Sequence, residues 1–305
     1  MNIVQFGLES WGQNHAKTLS DFGVLSAVFD SDLSKSKEIG QKYSVNYYDS
    51  VEQLISSESF DGAIVDKNVS IQTITDLLYD KKHVFLEKLS EINSIEFQKL
   101  KELSEKKKVV LTCGFNERFK SSVNLLREFI EQKKFGEILM LEFYRQGDLS
   151  YQNRGLIFES SINDIDIANV LIGSFPVVVF TRLGNSESKK EDFASIMLGY
   201  ENNKTAIILS KGISSEKMKK MRVICSDAVL ELDLHTDEIM ISGQQSLGVT
   251  KRVNTMKHHI QNFIESAEGK NQLFVKPNEI INLTKIAEGA LLSGKQGVPI
   301  YLDLK

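Results

Sequence analysis

The residues Ile3-Val4-Gln5-Phe6 run directly into Gly7-Leu8-Glu9-Ser10-Trp11-Gly12-Gln13-Asn14-His15. A short strand, a glycine turn and a helix in that order open a parallel α/β unit whose turn can receive a dinucleotide. In a G-x-G-x-x-G turn the first glycine permits the tight bend. The second lets the backbone approach a pyrophosphate, and the third lets helix and strand pack closely. Gly7 and Gly12 fill the outer places here, and Glu9 stands in the second. The motif announces a dinucleotide and also sets a carboxylate beside its phosphates.

The next hundred residues extend the same unit. Short apolar runs at 24–29, 62–65, 83–86 and 109–113 have the length of buried strands, and helical periodicity falls between them at 14–22, 34–42, 70–80 and 92–106. This alternation predicts right-handed crossovers and a doubly wound parallel sheet, a Rossmann-like domain over residues 1–119. The second strand ends in Asp30, about 20 residues past the turn, where a carboxylate bonds adenosine ribose hydroxyls and repels a 2'-phosphate. Asp30 therefore favours NAD over NADP; the alternative is that it only opens the turn before the next helix. Residues 120–305 change to longer strand-rich segments, predicting an α+β domain with a large, mostly antiparallel sheet, its last strand or helix free to pack back on the first domain.

Composition excludes several classes. A net charge of −4 over 305 residues offers no basic surface for nucleic acid. Lys106-Lys107-Lys108 reads as a helix end, where cations suit the dipole. No apolar stretch approaches the roughly 20 residues that span a bilayer, and the opening strand has no basic leader, so a cytoplasmic protein is expected. Cys113 and Cys225 each lie in an apolar run and read as buried free thiols. No metal site is expected, because the histidines show no ligand spacing with either cysteine, and His258-His259 reads as packing or surface. Asn68-Val69-Ser70 fits a glycosylation acceptor pattern but carries no weight without a secretory signal.

The order of motifs resembles the Gfo/Idh/MocA family, the relatives of glucose-fructose oxidoreductase and inositol dehydrogenase. The resemblance rests on Gly7 to His15, on Lys82-His83-Val84-Phe85-Leu86-Glu87-Lys88 against K-H-V-x-x-E-K-P, and on Gly114 to Phe119. It continues through Gly136-Glu137-Ile138, through Asn163-Asp164-Ile165-Asp166 against H-D-I-D, and through Ser293 to Ile300. It implies NAD(P)-dependent oxidation or reduction of a hydroxyl on a sugar, cyclitol or nucleotide-sugar. Carried over by position, the proton-handling groups are Lys88, Glu159 and Asn163. The cofactor would meet Gly7, Glu9, Trp11, Gly12, Asp30, Asp66 and Glu87. Asn116, Arg118, Tyr144 and Asp166 are candidate substrate contacts. For Arg118 and Asn116 a salt bridge and a helix cap are equal alternatives, and for Tyr144 and Arg145 an ordinary sheet surface is the favoured one.

Four departures fall on this expected surface: Glu9, Asp66 in place of a T-P pair's proline, Leu89 in place of the proline of E-K-P, and Asn163 in place of a histidine. An amide cannot take up a proton near neutral pH, and losing a positioned general base costs about 10²- to 10⁴-fold. Three readings stay open. One is an active oxidoreductase with Lys88 as the proton-transfer group; the second is an impaired member that binds a ligand or partner, with dinucleotide binding lost through Glu9; the third, placed well behind, is a structural component whose sheet face assembles subunits. A sheet covered by helices on one face leaves the other in need of a cover, so a homodimer or homotetramer through the second domain is expected.

Overall fold

A computed structural model describes residues 1–66, 69–89, 92–148, 155–186, 189–241, 246–247 and 253–304; Asn68 of the acceptor pattern lies outside them. The chain divides into two compact units, Met1–Gly114 with Met256–Ile281 and Phe115–Thr255 with Asn282–Lys305. The first division therefore falls after Gly114, against the expected 119, and residues 256–281 count with the first unit.

The first unit runs β1 (Ile3–Phe6), α1 (Ser10–Asp21), β2 (Leu25–Phe29), α2 (Leu33–Tyr43), β3 (Asn46–Tyr48), α3 (Val51–Ser57), β4 (Gly62–Val65), α4 (Ile71–Tyr79), β5 (His83–Leu86), α5 (Ser94–Lys107) and β6 (Leu111–Cys113). Its strands form one six-stranded parallel sheet in the order β3-β2-β1-β4-β5-β6. β1 and β4 are buried at every residue, as strands covered on both faces must be. β3 and α3 are absent from the expected elements. β3 is a three-residue edge strand with exposed Asn46 and Tyr47, so no apolar run marks it.

Side chains cap most of these helices. Asp32 accepts from the Ser34 N–H, Ser50 from Gln53, Ser70 from Thr73, and Asn93 with Glu96 forms a capping box. α1 differs: the Glu9 side chain at its cap accepts no helix N–H. Later in the chain come α6 (Ser121–Glu131), β7 (Ile138–Asp148), α7 (Ile162–Ile172), β8 (Val178–Gly184), β9 (Phe193–Gly199), β10 (Thr205–Lys211), β11 (Ile213–Cys225), β12 (Val229–Asp233), β13 (Glu238–Ile241), β14 (Ser246–Leu247), α8 (Thr255–Ala267), α9 (Pro277–Gln296) and β15 (Ile300–Tyr301). From α8, Ile260 and Phe263 join Ile3, Leu19, Ile64 and Phe85 in the core of the first unit.

The second unit holds a nine-stranded sheet, β14-β13-β12-β11-β7-β10-β9-β8-β15, antiparallel except where β7 and β10 run parallel. Burial alternates strictly along β9 and β10. One face is therefore covered and, among the described residues, the other is not. α7 lies on the covered face, tied to β10 by the Ser161 hydroxyl donating to Ser210 at 2.9 Å. α9 lies there too, its Ser293 hydroxyl accepting from the Thr181 N–H of β8. The uncovered face carries rows of charge across strands, such as Glu142, Arg222 and Glu231. No helix among the described residues is long and apolar enough to cross a membrane.

Candidate active site

In a parallel sheet all carboxyl ends lie along one edge, so the segments after β1, β2, β4 and β5 converge there. The order β3-β2-β1-β4 reverses direction between β1 and β4, the crevice where open α/β sheets bind ligands. Gly7 takes φ +83°, a conformation glycine adopts without strain. A Cβ added at Gly12 would stand 2.1 Å from the Gly7 carbonyl oxygen, so strand and helix approach this closely only with glycine in that place. The Gln5 amide donates to the Gly7 carbonyl at 3.0 Å, and the Gln13 amide to the Leu8 carbonyl at 3.1 Å. Both contacts occupy carbonyls of the turn, and the first N–H groups of α1, from Ser10 to Gly12, have no intrahelical acceptor, so they form the donor end of the helix.

Asp30 is fixed by the same turn. Its Oδ2 accepts the Leu8 N–H at 2.7 Å and its Oδ1 the Asp32 N–H at 2.9 Å. The residue thus opens the turn before α2, the alternative read from sequence, and also joins the glycine turn to the end of β2. Asp66 follows β4 and is buried, its Cβ 2.6 Å from where a Gly7 side chain would begin. Glu9 points elsewhere: Lys35 Nζ on α2 donates to its Oε1 at 2.9 Å, and that bond and charge hold the Lys35 ammonium above its usual range. Trp11 is exposed and lies 6.5 Å from the His15 ring. His15 is fully buried against Phe85, neither ring nitrogen has a partner among the described residues, and burial lowers its pKa to about 4.

Beyond β5, Glu87 and Leu89 are buried and Lys88 between them is half-buried. No described peptide bond is cis, the isomer that Leu89 in place of proline disfavours.

The other candidates belong to the second unit. Glu159 lies half-buried on a π-helical turn, Ile157–Ser161, that leads into α7. Such wide turns cluster at functional sites. Asn163 is half-buried and its amide donates to the Ser160 carbonyl at 3.2 Å. The aspartates that follow it are both buried and clamp α7 from two sides. Arg118 forks onto Asp166, with Nε to Oδ2 at 2.8 Å. Arg145 forks onto Asp164, with Nε to Oδ2 at 2.8 Å, and onto Glu117 at 2.7 and 3.1 Å. Lys219 completes the chain at 2.8 Å from Glu117. Burial favours the neutral Glu117 carboxyl, but the charges and hydrogen bonds of Arg145 and Lys219 outweigh it and hold the group well below the usual carboxylate range. Burial likewise works against the Arg145 charge, and Asp164 and Glu117 override it, keeping the guanidinium ionised.

Arg145 is therefore no ordinary sheet surface, correcting the favoured sequence reading: residues 141, 143 and 145 share the covered face. Tyr144 takes the opposite face, its hydroxyl 3.4 Å from Glu142 in a groove with Lys220 and Arg222. The sheet separates Tyr144 from Glu159 and Asn163. Asn116 and Arg118 share the 3-10 turn Asn116–Phe119. Sequence reasoning gave no role to Lys35, Glu117, Asp164 and Lys219, although Glu117 and Asp164 lie within the motifs quoted above; strand parity could have placed Arg145 inward.

Residues 1–115 match the sequence model of GFO_IDH_MocA, described as an oxidoreductase family with an NAD-binding Rossmann fold. The chain is 27% identical over 191 residues to myo-inositol 2-dehydrogenase of Thermotoga maritima, an alignment spanning 59% of this chain and 57% of that relative's length. Two solved structures share the fold over nearly the whole of both chains. An oxidoreductase from Agrobacterium radiobacter in complex with NAD+, L-tartaric acid and magnesium superposes with a TM-score of 0.88 at 14% identity, covering 99% of this chain and 98% of that one. UDP-N-acetylglucosamine 3-dehydrogenase from Acidithiobacillus ferrooxidans superposes at 0.86 and 18% identity, covering 97% and 98%. Over its first 115 residues the chain matches the Rossmann-domain sequence model of this oxidoreductase family, and over nearly its full length it shares the fold of these two structures.

Proposed function

We propose that the protein is an NAD(H)-dependent oxidoreductase acting on a hydroxyl of a sugar, cyclitol or nucleotide-sugar. The observation that carries this reading is the intact turn geometry: Gly7 and Gly12 in contact that admits no side chain, bound through Leu8 to Asp30 at the end of β2. The fit survives Glu9 because its carboxylate reaches toward Lys35 on α2. The turn and first helical residues, Gly7, Glu9, Trp11 and Gly12, would hold the diphosphate end, and Asp30 the adenosine ribose, in preference to a 2'-phosphate. Asp66 and Glu87 would border the remainder. When bound, the nicotinamide supplies a hydride acceptor or donor.

Proton handling falls to this chain's own groups. Lys88 is the candidate proton-transfer group. Glu159, on the wide turn, and Asn163 orient substrate hydroxyls as acceptor and donor. Arg118 with Asp166, and Arg145 with Asp164, keep α7 in place so that Glu159 and Asn163 hold their positions. Asn116 is retained as a substrate contact; Tyr144, on the other side of the sheet, belongs to the uncovered face, where a second copy of the chain would make a homodimer or homotetramer. A non-catalytic ligand-binding member is the second reading, favoured by Asn163, whose amide takes up no proton and already donates to Ser160.

Calorimetric titration with NADH and then NADPH tests the first reading, followed by a screen of cyclitols and sugars with and without Lys88→Ala. NADH binding that weakens in Asp30→Ala, with turnover abolished in Lys88→Ala, is the expected result. Binding without turnover of any polyol supports the second reading, and binding of neither dinucleotide overturns the first.

A further inference from the structure

The acidic residue in the glycine turn has a specific cationic partner, and the local structure supplies both. Asp32 caps α2 through the Ser34 N–H, which sets the start of that helix and places Lys35 in its first turn. Lys35 Nζ then meets Glu9 Oε1 at 2.9 Å, bridging the residue before α1 to the first turn of α2. Asp30 keeps both carboxylate oxygens on backbone N–H groups of Leu8 and Asp32, and the charges of Asp30 and Asp32 add to that of Glu9 in holding Lys35 protonated.

We propose that Lys35 determines dinucleotide affinity by holding the Glu9 carboxylate to the α2 side of the turn, so that a diphosphate can approach the first turn of α1. This rests on the NAD(H) reading above. A diphosphate entering the turn brings negative charge toward Glu9, and like charges closer than the Debye length of about 8 Å repel modestly even in a solvated turn, the more so at low salt. Pairing with Lys35 offsets the Glu9 charge and fixes its direction. Once Lys35 is removed, the carboxylate can sweep across the amide end of α1, competing with phosphate for the same donors. In this arrangement Lys35 acts through Glu9 and is a positioning residue.

The two roles separate in a double-mutant cycle on the full chain, with NADH as the titrant at low and at raised salt. Lys35→Met is expected to weaken NADH binding by about two- to five-fold, the range that exposed ion pairs reach, and Lys35→Arg to retain it. Glu9→Gly is expected to tighten binding by at least as much. In the Glu9→Gly background Lys35→Met is expected to have no effect, and the coupling is expected to shrink as salt rises. Equal losses from Lys35→Met in both backgrounds overturn the proposal, because Lys35 would then act on the dinucleotide directly, and so does an unchanged affinity in Lys35→Met. If even the Glu9→Gly protein binds no NADH while remaining folded, the dinucleotide reading itself fails and takes this role with it. Binding by the parent protein without coupling removes only the role of Lys35.

Discussion

The glycine turn and the base of α7 both concentrate charge, and they do so in opposite ways. Around the turn, Glu9 and Lys35 are 50% and 39% exposed, so their pairing is worked out in water and can change when a ligand arrives. Beneath α7, Arg145 and Asp164 are 4% and 2% exposed, forked together and continued through Glu117 to Lys219. Desolvated charges cost several kcal/mol per ion unless paired with good geometry, whereas exposed pairs contribute little. Charge in the first region can tune affinity, and charge in the second can only hold a position.

That contrast is broken most sharply at Arg145. Arg145→Met leaves Asp164 buried beside Glu117 without its guanidinium, a loss of about 3–5 kcal/mol. Urea unfolding should show it, and Arg145→Met combined with Asp164→Leu should lose less than Arg145→Met alone, since the carboxylate then left facing Arg145's former place is Glu117, which keeps Lys219. Equal losses in the two variants would mean that the guanidinium matters for packing and not for charge. In the turn the large effect is steric. Gly12→Ala forces its Cβ against the Gly7 carbonyl, and such overpacking costs about 1–3 kcal/mol. NADH binding should fall with it, and an unaltered affinity in that variant would disconnect the turn from the dinucleotide.

The same contrast governs what the sequence disclosed. Gly7, Gly12 and the spacing to Asp30 were legible because each is a backbone requirement, met by one residue type at one distance along the chain. The strands of the second sheet were legible from alternation, and Leu141 and Phe143 set a phase that carries Arg145 inward, but its charge was read as a surface signal and it was assigned to the wrong environment. Asp164 and Asp166 stand two apart on a helix, about 200° around its axis. They therefore reach different arginines, from β7 and from the turn at Asn116, and no spacing rule names those partners. Lys35 and Glu9 are 26 residues apart and meet only because neighbouring parallel strands bring α1 and α2 side by side. Motifs disclose what the backbone must do; pairings between side chains wait on the fold.

His15 sits between these extremes, a buried titratable group without a charge partner among the described residues. Its pKa falls from 6.5 to about 4 on folding. The unfolded chain binds the proton first, so stability is full above pH 6.5 and is lost as pH falls toward 4. At pH 5 the loss amounts to about 2 kcal/mol relative to neutral pH. His15→Phe should remove this part of the pH dependence. His83 shifts in the same direction in both proteins and cancels in the comparison. A parallel fall in stability from pH 7 to pH 5 in parent and variant would show that His15 is protonated in place.

The smallest effect is the most informative about the turn. Lys35→Met removes an exposed ammonium whose bond to Glu9 costs side-chain freedom as it forms, so the melting temperature should not move measurably. A change in NADH affinity at constant stability would assign the Glu9–Lys35 pair to ligand binding alone, since only a bound diphosphate distinguishes the two positions of the Glu9 carboxylate. A clear drop in melting temperature would instead make the pair a brace between α1 and α2, and the turn would then resemble the base of α7 after all.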